Sequence, residues 1–349
     1  MSFHHATTLT DYARTAVDLR IRMTETAGGP VDEAYLRALL AGRFEAPDAS
    51  GGEDPKTAVD GVVDTVICAS RAAWSVGESF VLAPAMTAIV AAAGEALDLT
   101  GDLLTAEAAP CDHGVLFLPE PIYHRRPTGV VTAIGAITWA SISVTNSGQR
   151  LWLICSYSPL DDPDDPAAAS LRRNLARNQQ VRAGLGPYLL NDIAELPIAR
   201  PVPAPPDTAP VDERDLDWQS TPEGRYVITD DGHRTDVVAC VLYAFWRIQA
   251  QPITVAAKTP ADRPTRRRAL RASIVHETRV VMLRRTSPAT DPGDGEAKWH
   301  YRVRFFVRGH WRRLVDKQGR PYRVWVQAHI KGPGGAPLLL GEKVAVLAR

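Results

Sequence analysis

The stretch LLTAEAAPCDHGVLFLPEPIYHRRPTGVVTAIGAITWASISV, residues 103–144, separates short apolar runs with proline and glycine. The runs at residues 115–118 and 130–139 are rich in the aliphatic and β-branched side chains that strands favour. Proline and glycine between such runs are typical of turns. The stretch therefore predicts hairpins or a small sheet, and a further apolar run at residues 151–156 predicts one more strand.

The chain before this stretch has the periodicity of helices. Leu9, Tyr12 and Ala16 begin an apolar series at helical spacing, and similar patterns occupy residues 62–76 and 83–97. Such a series places apolar side chains on one side of a helix, where they pack against a core. We therefore expect the first hundred residues to be mainly helical.

Four segments follow along the whole chain. They are an acidic helical region at residues 1–100, a mixed α/β region at 101–196, a Pro-rich linker at 197–236, and a helix followed by a basic, β-rich domain at 237–349. The prolines of the third segment favour a semi-rigid polyproline conformation. The run VVACVLYAFWRIQ, Val237–Gln249, predicts a buried helix. The predicted fold class is α+β, with a small sheet in a mainly helical N-terminal region and a basic β-rich domain after the linker.

Charge is divided unevenly between the two ends of the chain. Residues 251–349 hold 21 Lys and Arg against 7 Asp and Glu, a net charge of +14. Residues 1–250 hold 19 against 33, a net charge of −14, so the whole chain is neutral. A basic terminal region on an acidic body indicates docking on a polyanion, most often a nucleic acid.

Two segments of the basic region alternate with the period of a strand. In HYRVRFFVR, residues 300–308, and YRVWVQAHIK, residues 322–331, every second side chain is apolar. If the two strands pair across residues 309–321, their apolar faces form half of a core. The opposite surface then displays Arg302, Arg304, Phe306, Arg308, Arg323, Trp325, His329 and Lys331.

Cations interleaved with aromatic rings on one sheet face are typical of nucleic-acid binding, because guanidinium groups neutralise phosphates and rings stack on unpaired bases. The alternative is that other elements cover this face and bury Phe306 and Trp325. Five arginines between residues 263 and 271 form a second basic run, which is either a solvated face or a contact for phosphates or an acidic partner. The predicted nucleic-acid-binding residues are Arg266, Arg267, Arg268, Arg302, Arg304, Phe306, Arg308, His310, Trp311, Arg312, Arg313, Arg323, Trp325 and Lys331.

The C-terminal third also resembles a known group of proteins. The residues that carry the resemblance are VLYAFWRIQAQP, RRRALR, RVVMLRR and the tail from VRGHWRRL to residue 349, with a weaker similarity in GVLFLPEPI and AITWASI. They are similar to uncharacterised proteins of actinobacteria and mobile elements that are related to AcaB-like regulators and to an anti-CRISPR that depletes a type V nuclease during its synthesis. The resemblance implies a non-enzymatic regulator acting at nucleic acid or on translation.

Motifs that would indicate an enzyme are weak. A metal-independent ribonuclease needs a base, an acid and a cation, and His310, His329 and Arg312 are the candidates. The chain has no GxSxG or GxGxxG motif, and neither its four scattered cysteines nor the run DDPDDP at residues 161–166 has the spacing of a metal site. We therefore expect no metal and no cofactor.

Three functions stay open from the sequence. The first is a regulator that binds RNA or a ribosome-associated complex through the basic C-terminal sheet, while the acidic N-terminal half binds a protein. The second is a protein–protein module whose basic domain pairs with an acidic partner or with the acidic half of its own chain. The third is the ribonuclease. The cysteine content and the lack of a signal or membrane segment favour a cytoplasmic protein.

Overall fold

A computed structural model describes residues 3–44, 55–126, 128–144, 148–165, 169–205, 223–230, 235–284, 304–331 and 338–339. Its class is mixed α+β. The helices of this part of the chain are α1 (Leu9–Thr26), α2 (Pro30–Phe44), α3 (Pro55–Ser75), α4 (Pro84–Glu95), α5 (Ala169–Arg177), α6 (Gln179–Leu185), α7 (Val237–Gln249) and α8 (Arg263–Arg271). The strands are β1 (Glu78–Leu82), β2 (His113–Arg125), β3 (Val131–Ser143), β4 (Arg150–Pro159), β5 (Tyr188–Pro197), β6 (Tyr226–Thr229), β7 (Thr254–Pro260), β8 (Glu277–Leu283), β9 (Arg304–Val307), β10 (His310–Val315), β11 (Pro321–Val326), β12 (His329–Lys331) and β13 (Leu338–Leu339).

A mixed sheet of eight strands lies at the centre of the described residues. Its strand order is β5-β4-β3-β2-β1-β8-β7, and β6 also pairs with β2. Strands β2 to β5 form an antiparallel meander, whereas β1 runs parallel to both of its neighbours, β2 and β8. The predicted β-rich stretch supplies β2 and β3, so it forms the middle of a sheet larger than expected.

Helices cover both faces of this sheet. Phe80 and Leu82 of β1 point into the cluster that contains α4 and α7, whereas Val81 points into the cluster that contains α1, α2 and α3. Successive side chains of a strand point to opposite faces, so a strand between two helical layers must be apolar throughout. We refer to the two sides as the α4–α7 layer and the α1–α3 layer.

The buried helix predicted at Val237–Gln249 is confirmed as α7. It packs against α4 at Gly94, where an added Cβ would lie 2.4 Å from a methyl carbon of Val241. Glycine is therefore required for the close approach of the two helices. Because α7 lies in the core of the main sheet, and β8 pairs with β1, the predicted linker at 197–236 does not separate two hydrophobic cores.

After β8 the chain forms a long two-stranded ribbon. Strand β10 pairs with β11, β9 pairs with β12, and β13 adds to the other edge of β9. Both pairings are antiparallel and continue the same register, with His310 opposite Val326 and Val307 opposite His329. We call β9 to β12 the C-terminal ribbon. In the part of the chain that the structure describes, no helix is both long and apolar enough to cross a membrane.

Candidate polyanion-binding surface

The turn of the C-terminal ribbon is shorter than the sequence predicted. The expected connection at residues 309–321 contains strand β10, and the observed turn lies between Val315 and Pro321. Asp316 holds this turn, since its carboxylate accepts hydrogen bonds from the backbone N–H groups of Gln318 and Arg320, each at 2.8 Å. The extra strand moves Trp311 and Arg313 into register with Trp325 and Arg323.

The ribbon turns its tryptophans toward the protein body. Trp325 is 6% exposed and belongs to the hydrophobic cluster of the α4–α7 layer. Trp311 packs against the Trp325 ring with centroids 5.3 Å apart, and its Nε1–H donates to the Ala93 carbonyl at 2.9 Å. Of the two alternatives that the sequence left open for Trp325, the structure confirms the one in which other elements bury the ring, and base stacking on Trp325 is wrong. The buried Trp325 and the half-buried Trp311 dock β10 and β11 on α4 and α7.

Gly309 lets the Trp325 ring lie flat on the ribbon. A Cβ at this position would come within 2.5 Å of the Trp325 ring, so any larger residue would displace the indole. The ring occupies the space above the point where the pairing of β10 with β11 gives way to that of β9 with β12. The close approach thus links a glycine in the sequence to the buried position of the Trp325 ring.

Arg323 lies on the same inward face and is also engaged by the body. Its Nη2 lies 2.6 Å from a carboxylate oxygen of Asp102, and its Nη1 donates to the Asp98 carbonyl at 3.3 Å. Burial raises the pKa of Asp102, while Arg323 and Arg313 oppose that shift. Because the Arg323 side chain is only 12% exposed, it is not a free phosphate ligand. This pair joins the basic end of the chain to its acidic half. Pairing within the chain is one of the two forms of the second hypothesis.

The other predicted ribbon residues divide into two groups. Arg308, His310, Arg312 and Arg313 are exposed, and Trp311 is half-buried. Arg302 lies outside the described residues, and for Arg304, Phe306 and Lys331 the structure describes the backbone in β9 and β12. Arg308, Arg312 and Arg313 are therefore exposed on the ribbon, while Trp311 is half-buried and Trp325 is buried.

The candidate catalytic histidines have local partners. Nδ1 of His310 lies 3.0 Å from the Arg308 carbonyl, and Nδ1 of His329 lies 3.0 Å from the Gln327 carbonyl. Each ring is thus oriented by the residue two positions before it, which is a structural contact. Arg312 is exposed on β10. These positions give the ribonuclease hypothesis no geometric support.

The second basic run forms α8, a surface helix whose two buried residues are four positions apart and whose arginines are exposed. Asp262 caps the helix, because its carboxylate accepts a hydrogen bond from the Thr265 N–H at 2.8 Å, and a proline follows in the first turn. Thr265 and Ala269 form the buried side, where Ala269 packs with Val17 of α1. The arginines occupy the remaining positions of the helix.

A groove between α1 and α8 gathers these arginines. Its volume is about 400 Å³, and its lining holds five arginines and the carboxylate of Asp262, a formal charge of +4. Two of these arginines pair with carboxylates of α1 outside the lining, Arg14 with Asp11 and Arg268 with Asp18, which lowers the charge to +2. We call this groove the basic groove. Its arginines are Arg14, Arg263, Arg267, Arg268 and Arg271. Arg266 is also exposed on α8.

One arginine of the basic groove is tied to α1. Nη2 of Arg268 lies 2.6 Å from a carboxylate oxygen of Asp18, a residue whose side chain is 15% exposed. Burial raises the pKa of Asp18, and the Arg268 charge counteracts that effect. The pair positions α8 on α1 and leaves the neighbouring guanidinium groups exposed.

The two basic surfaces lie on opposite helical layers. The hairpin of β10 and β11 docks on the α4–α7 layer, whereas α8 packs on α1. The predicted nucleic-acid-binding residues include arginines of both segments, and the structure divides them between these two surfaces. Arg14 was missed, because it lies in a region predicted to be acidic and helical. Its position on the outward side of an amphipathic helix identifies it as exposed, and nothing in the sequence pairs α1 with α8.

No family model matches the chain, and no curated protein matches it. The resemblance to AcaB-like regulators therefore stays a prediction. Among the described residues, no group of three or more His, Cys, Asp or Glu side chains has the arrangement of a metal site.

Proposed function

We propose that this protein binds RNA, alone or within a ribosome-associated complex, as a non-enzymatic regulator whose phosphate-binding site is the basic groove. The observation that carries the proposal is the convergence of Arg14, Arg263, Arg267 and Arg271 around Arg268 in one groove, which keeps a charge of +2 once the pairs of Arg14 with Asp11 and of Arg268 with Asp18 are counted. A guanidinium group presents a planar set of donors that fits two phosphate oxygens at once. Several such groups side by side suit a chain of phosphates better than a single anion.

The proposed contact is with the nucleic-acid backbone. Phosphate contacts fix the position of a protein on nucleic acid but carry little sequence information. Since Trp325 is buried and Trp311 is half-buried against it, base stacking is no part of the proposal. In this proposal α8 belongs to the basic C-terminal domain predicted at 237–349, which follows the predicted Pro-rich linker at 197–236.

Filter binding of the full chain to single-stranded RNA at low and at high salt tests this proposal. We expect binding that falls steeply with salt, because each released counterion contributes to the slope. A variant with Arg263→Gln, Arg267→Gln and Arg271→Gln should lower the slope of log affinity against log salt by about 2. The control carries Arg308→Gln, Arg312→Gln and Arg313→Gln on the ribbon and should keep the wild-type slope.

No binding at low salt, or equal losses in the two triple variants, would exclude the basic groove as the site. Measuring the unfolding midpoint of each variant separates a lost contact from a lost fold. All the substituted arginines are exposed, so we expect midpoints close to that of the wild type.

A second candidate function, docking of an acidic protein on α8, is favoured by exposed apolar side chains beside the arginines. Leu270 is 66% exposed in the last turn of α8, and Val275, four residues after the helix ends, is 41% exposed. A phosphate chain offers nothing apolar to cover these side chains, whereas an acidic amphipathic helix would. Pull-down before and after nuclease treatment separates the two functions, because partners retained after digestion support the protein. Leu270→Ala should weaken only the protein complex.

A further inference from the structure

Two acidic, proline-containing segments of the sequence, residues 118–121 and 159–162, meet near the end of β1, the strand that runs parallel to both of its neighbours. The motif LPEP, residues 118–121, forms a bulge in β2, where pairing is interrupted between Phe117 and Ile122. β1 pairs with β2 before the bulge and β6 pairs with it after the bulge, so the two strands leave a gap between them. In sheets with parallel strands, ligands bind at the carboxyl ends of those strands.

A pocket of about 430 Å³ opens at this gap. Its walls include five prolines from four separate segments, Pro84, Pro119, Pro121, Pro159 and Pro187. A proline has no backbone N–H, so these five positions offer apolar rings and carbonyls but no backbone donors. The carbonyls of Pro159 and Pro187 each accept one backbone N–H already. We call this space the proline pocket. At the proline positions of its wall, a ligand can form hydrogen bonds only through its own donors.

Aromatic rings line the proline pocket on the side of the N-terminal segment. Phe3, Tyr12 and Tyr188 all contribute to the lining. The rings of Phe3 and Tyr12 are 6.0 Å apart, and both Phe3 and Tyr188 contact Phe117 beneath them, with centroid distances of 5.5 and 6.2 Å. The negative faces of such rings attract cations.

The charge of the lining also favours a cation. Glu120, Asp161 and Asp162 line the pocket together with Arg225. Asp161 pairs with Arg182 and Arg225 pairs with Asp164, so with these partners included four carboxylates against two guanidinium groups give −2. Asp162 is already satisfied by the Tyr123 hydroxyl at 2.8 Å and by a backbone N–H at 2.9 Å. Glu120 lies 3.9 Å from Arg225, which is long for a direct hydrogen bond and leaves its carboxylate available to a ligand.

We propose that the proline pocket binds an alkyl cation with several N–H donors, of the kind that an arginine side chain carries. A cation with N–H donors suits the carboxylates, the aromatic rings and the proline carbonyls of the lining alike. The guanidinium group would pair with Glu120 while its methylene stem lies against the prolines and the Tyr12 ring. This inference is independent of the basic groove, which lies beside α8 and is lined by other residues.

Isothermal titration of the full chain tests the proposal with three probes. L-arginine represents the free amino acid, N-acetyl-L-arginine amide represents a residue within a peptide, and L-citrulline is a neutral compound of nearly the same shape. We expect at least one arginine compound to bind, with citrulline at least about tenfold weaker because it lacks the charge. The tighter of the two arginine compounds identifies the source of the cation.

Two variants locate the binding. Glu120→Gln keeps the side-chain shape and should weaken the binding of arginine by about fivefold, the effect of removing a partly exposed charge partner. Glu277→Gln changes an exposed carboxylate at the start of β8 and should leave it unchanged. Asp161→Asn, on an exposed side chain of the same pocket, provides a second variant if Glu120→Gln fails to fold. No binding of either arginine compound, equal binding of citrulline, or wild-type affinity in both pocket variants would overturn the proposal.

Discussion

Arg20 is the most deeply buried charged side chain that the structure describes, and it holds three parts of the chain together. Its guanidinium donates to the carbonyls of Trp74 at 2.7 Å and of Ser75, Gly77 and Val275 at 2.8 Å. The carbonyls at the end of α3 have no partners inside their own helix, so Arg20 satisfies them. Burial lowers the pKa of Arg20 to about 10, which still leaves it charged at neutral pH.

Arg20→Met should therefore lower the free energy of unfolding by about 4 kcal/mol, because the substitution leaves buried carbonyls without donors. Arg22→Met, two positions along the same helix on a half-exposed side chain, should change it by less than about 0.5 kcal/mol. Urea denaturation of both variants makes the comparison. Equal stabilities would show that the carbonyls find other partners.

His124 makes the stability of the fold depend on pH. The residue is 2% exposed, and burial, with a smaller contribution from Arg126, lowers its pKa from 6.5 to about 4. A histidine whose pKa is lowered in the folded state takes up a proton on unfolding below pH 6.5. Its stabilising effect is therefore complete above pH 6.5 and is lost as the pH falls toward 4.

Between pH 6.5 and pH 5 the wild type should lose about 2 kcal/mol more than a His124→Phe variant, which has no proton to bind. The measurement is urea denaturation of both proteins at the two pH values. The comparison cancels carboxylates that titrate in the same range, since both proteins contain them. A parallel loss in wild type and variant would show that His124 titrates normally.

At the scale of elements, strong periodicity predicted whether a segment forms a helix or a strand, but it did not predict what that element packs against. The helix at Val237–Gln249 and the strand character around Val115 and Trp139 are confirmed. The alternation in β11 also predicted a strand with two distinct sides. It did not show which side is inward. Trp325 packs into the cluster of the α4–α7 layer and Arg323 pairs with the Asp102 carboxylate, so a side that carries a ring and a cation is buried as well as a side of valines would be.

Gly309→Ala tests the inward orientation of the ribbon. Its methyl group would meet the Trp325 ring at 2.5 Å, so we expect a loss of about 2 kcal/mol of unfolding free energy and a red shift of the tryptophan emission. Gly61→Ala, at an open position of α3 where a Cβ meets nothing within 4 Å, should leave the protein as stable or slightly more so. An unchanged emission in Gly309→Ala would mean that the indole is not held against the ribbon.

For the whole molecule, the net charges of the two parts of the sequence predicted attraction but not its geometry. Part of the +14 is neutralised within the chain, as Arg268, Arg279 and Arg323 pair with Asp18, Glu78 and Asp102. Those pairs depend on contacts between residues more than 190 positions apart, which no local pattern reveals. The same packing leaves the basic groove open and draws the inward face of the ribbon onto the body. The sequence therefore predicted most of the arginines of the candidate site, and only the fold shows that those of α8 lie beside Arg14 of α1.

Photo-crosslinking of the full chain to single-stranded RNA that contains 4-thiouridine, followed by mass spectrometry of the attached peptides, tests the central claim most directly. If the basic groove holds the phosphates, the crosslinks will lie within residues 263–271 and in the α1 peptide that contains Arg14. Crosslinks concentrated at Trp325 or Trp311 would contradict the account, because they require the ribbon to open its inward face to RNA.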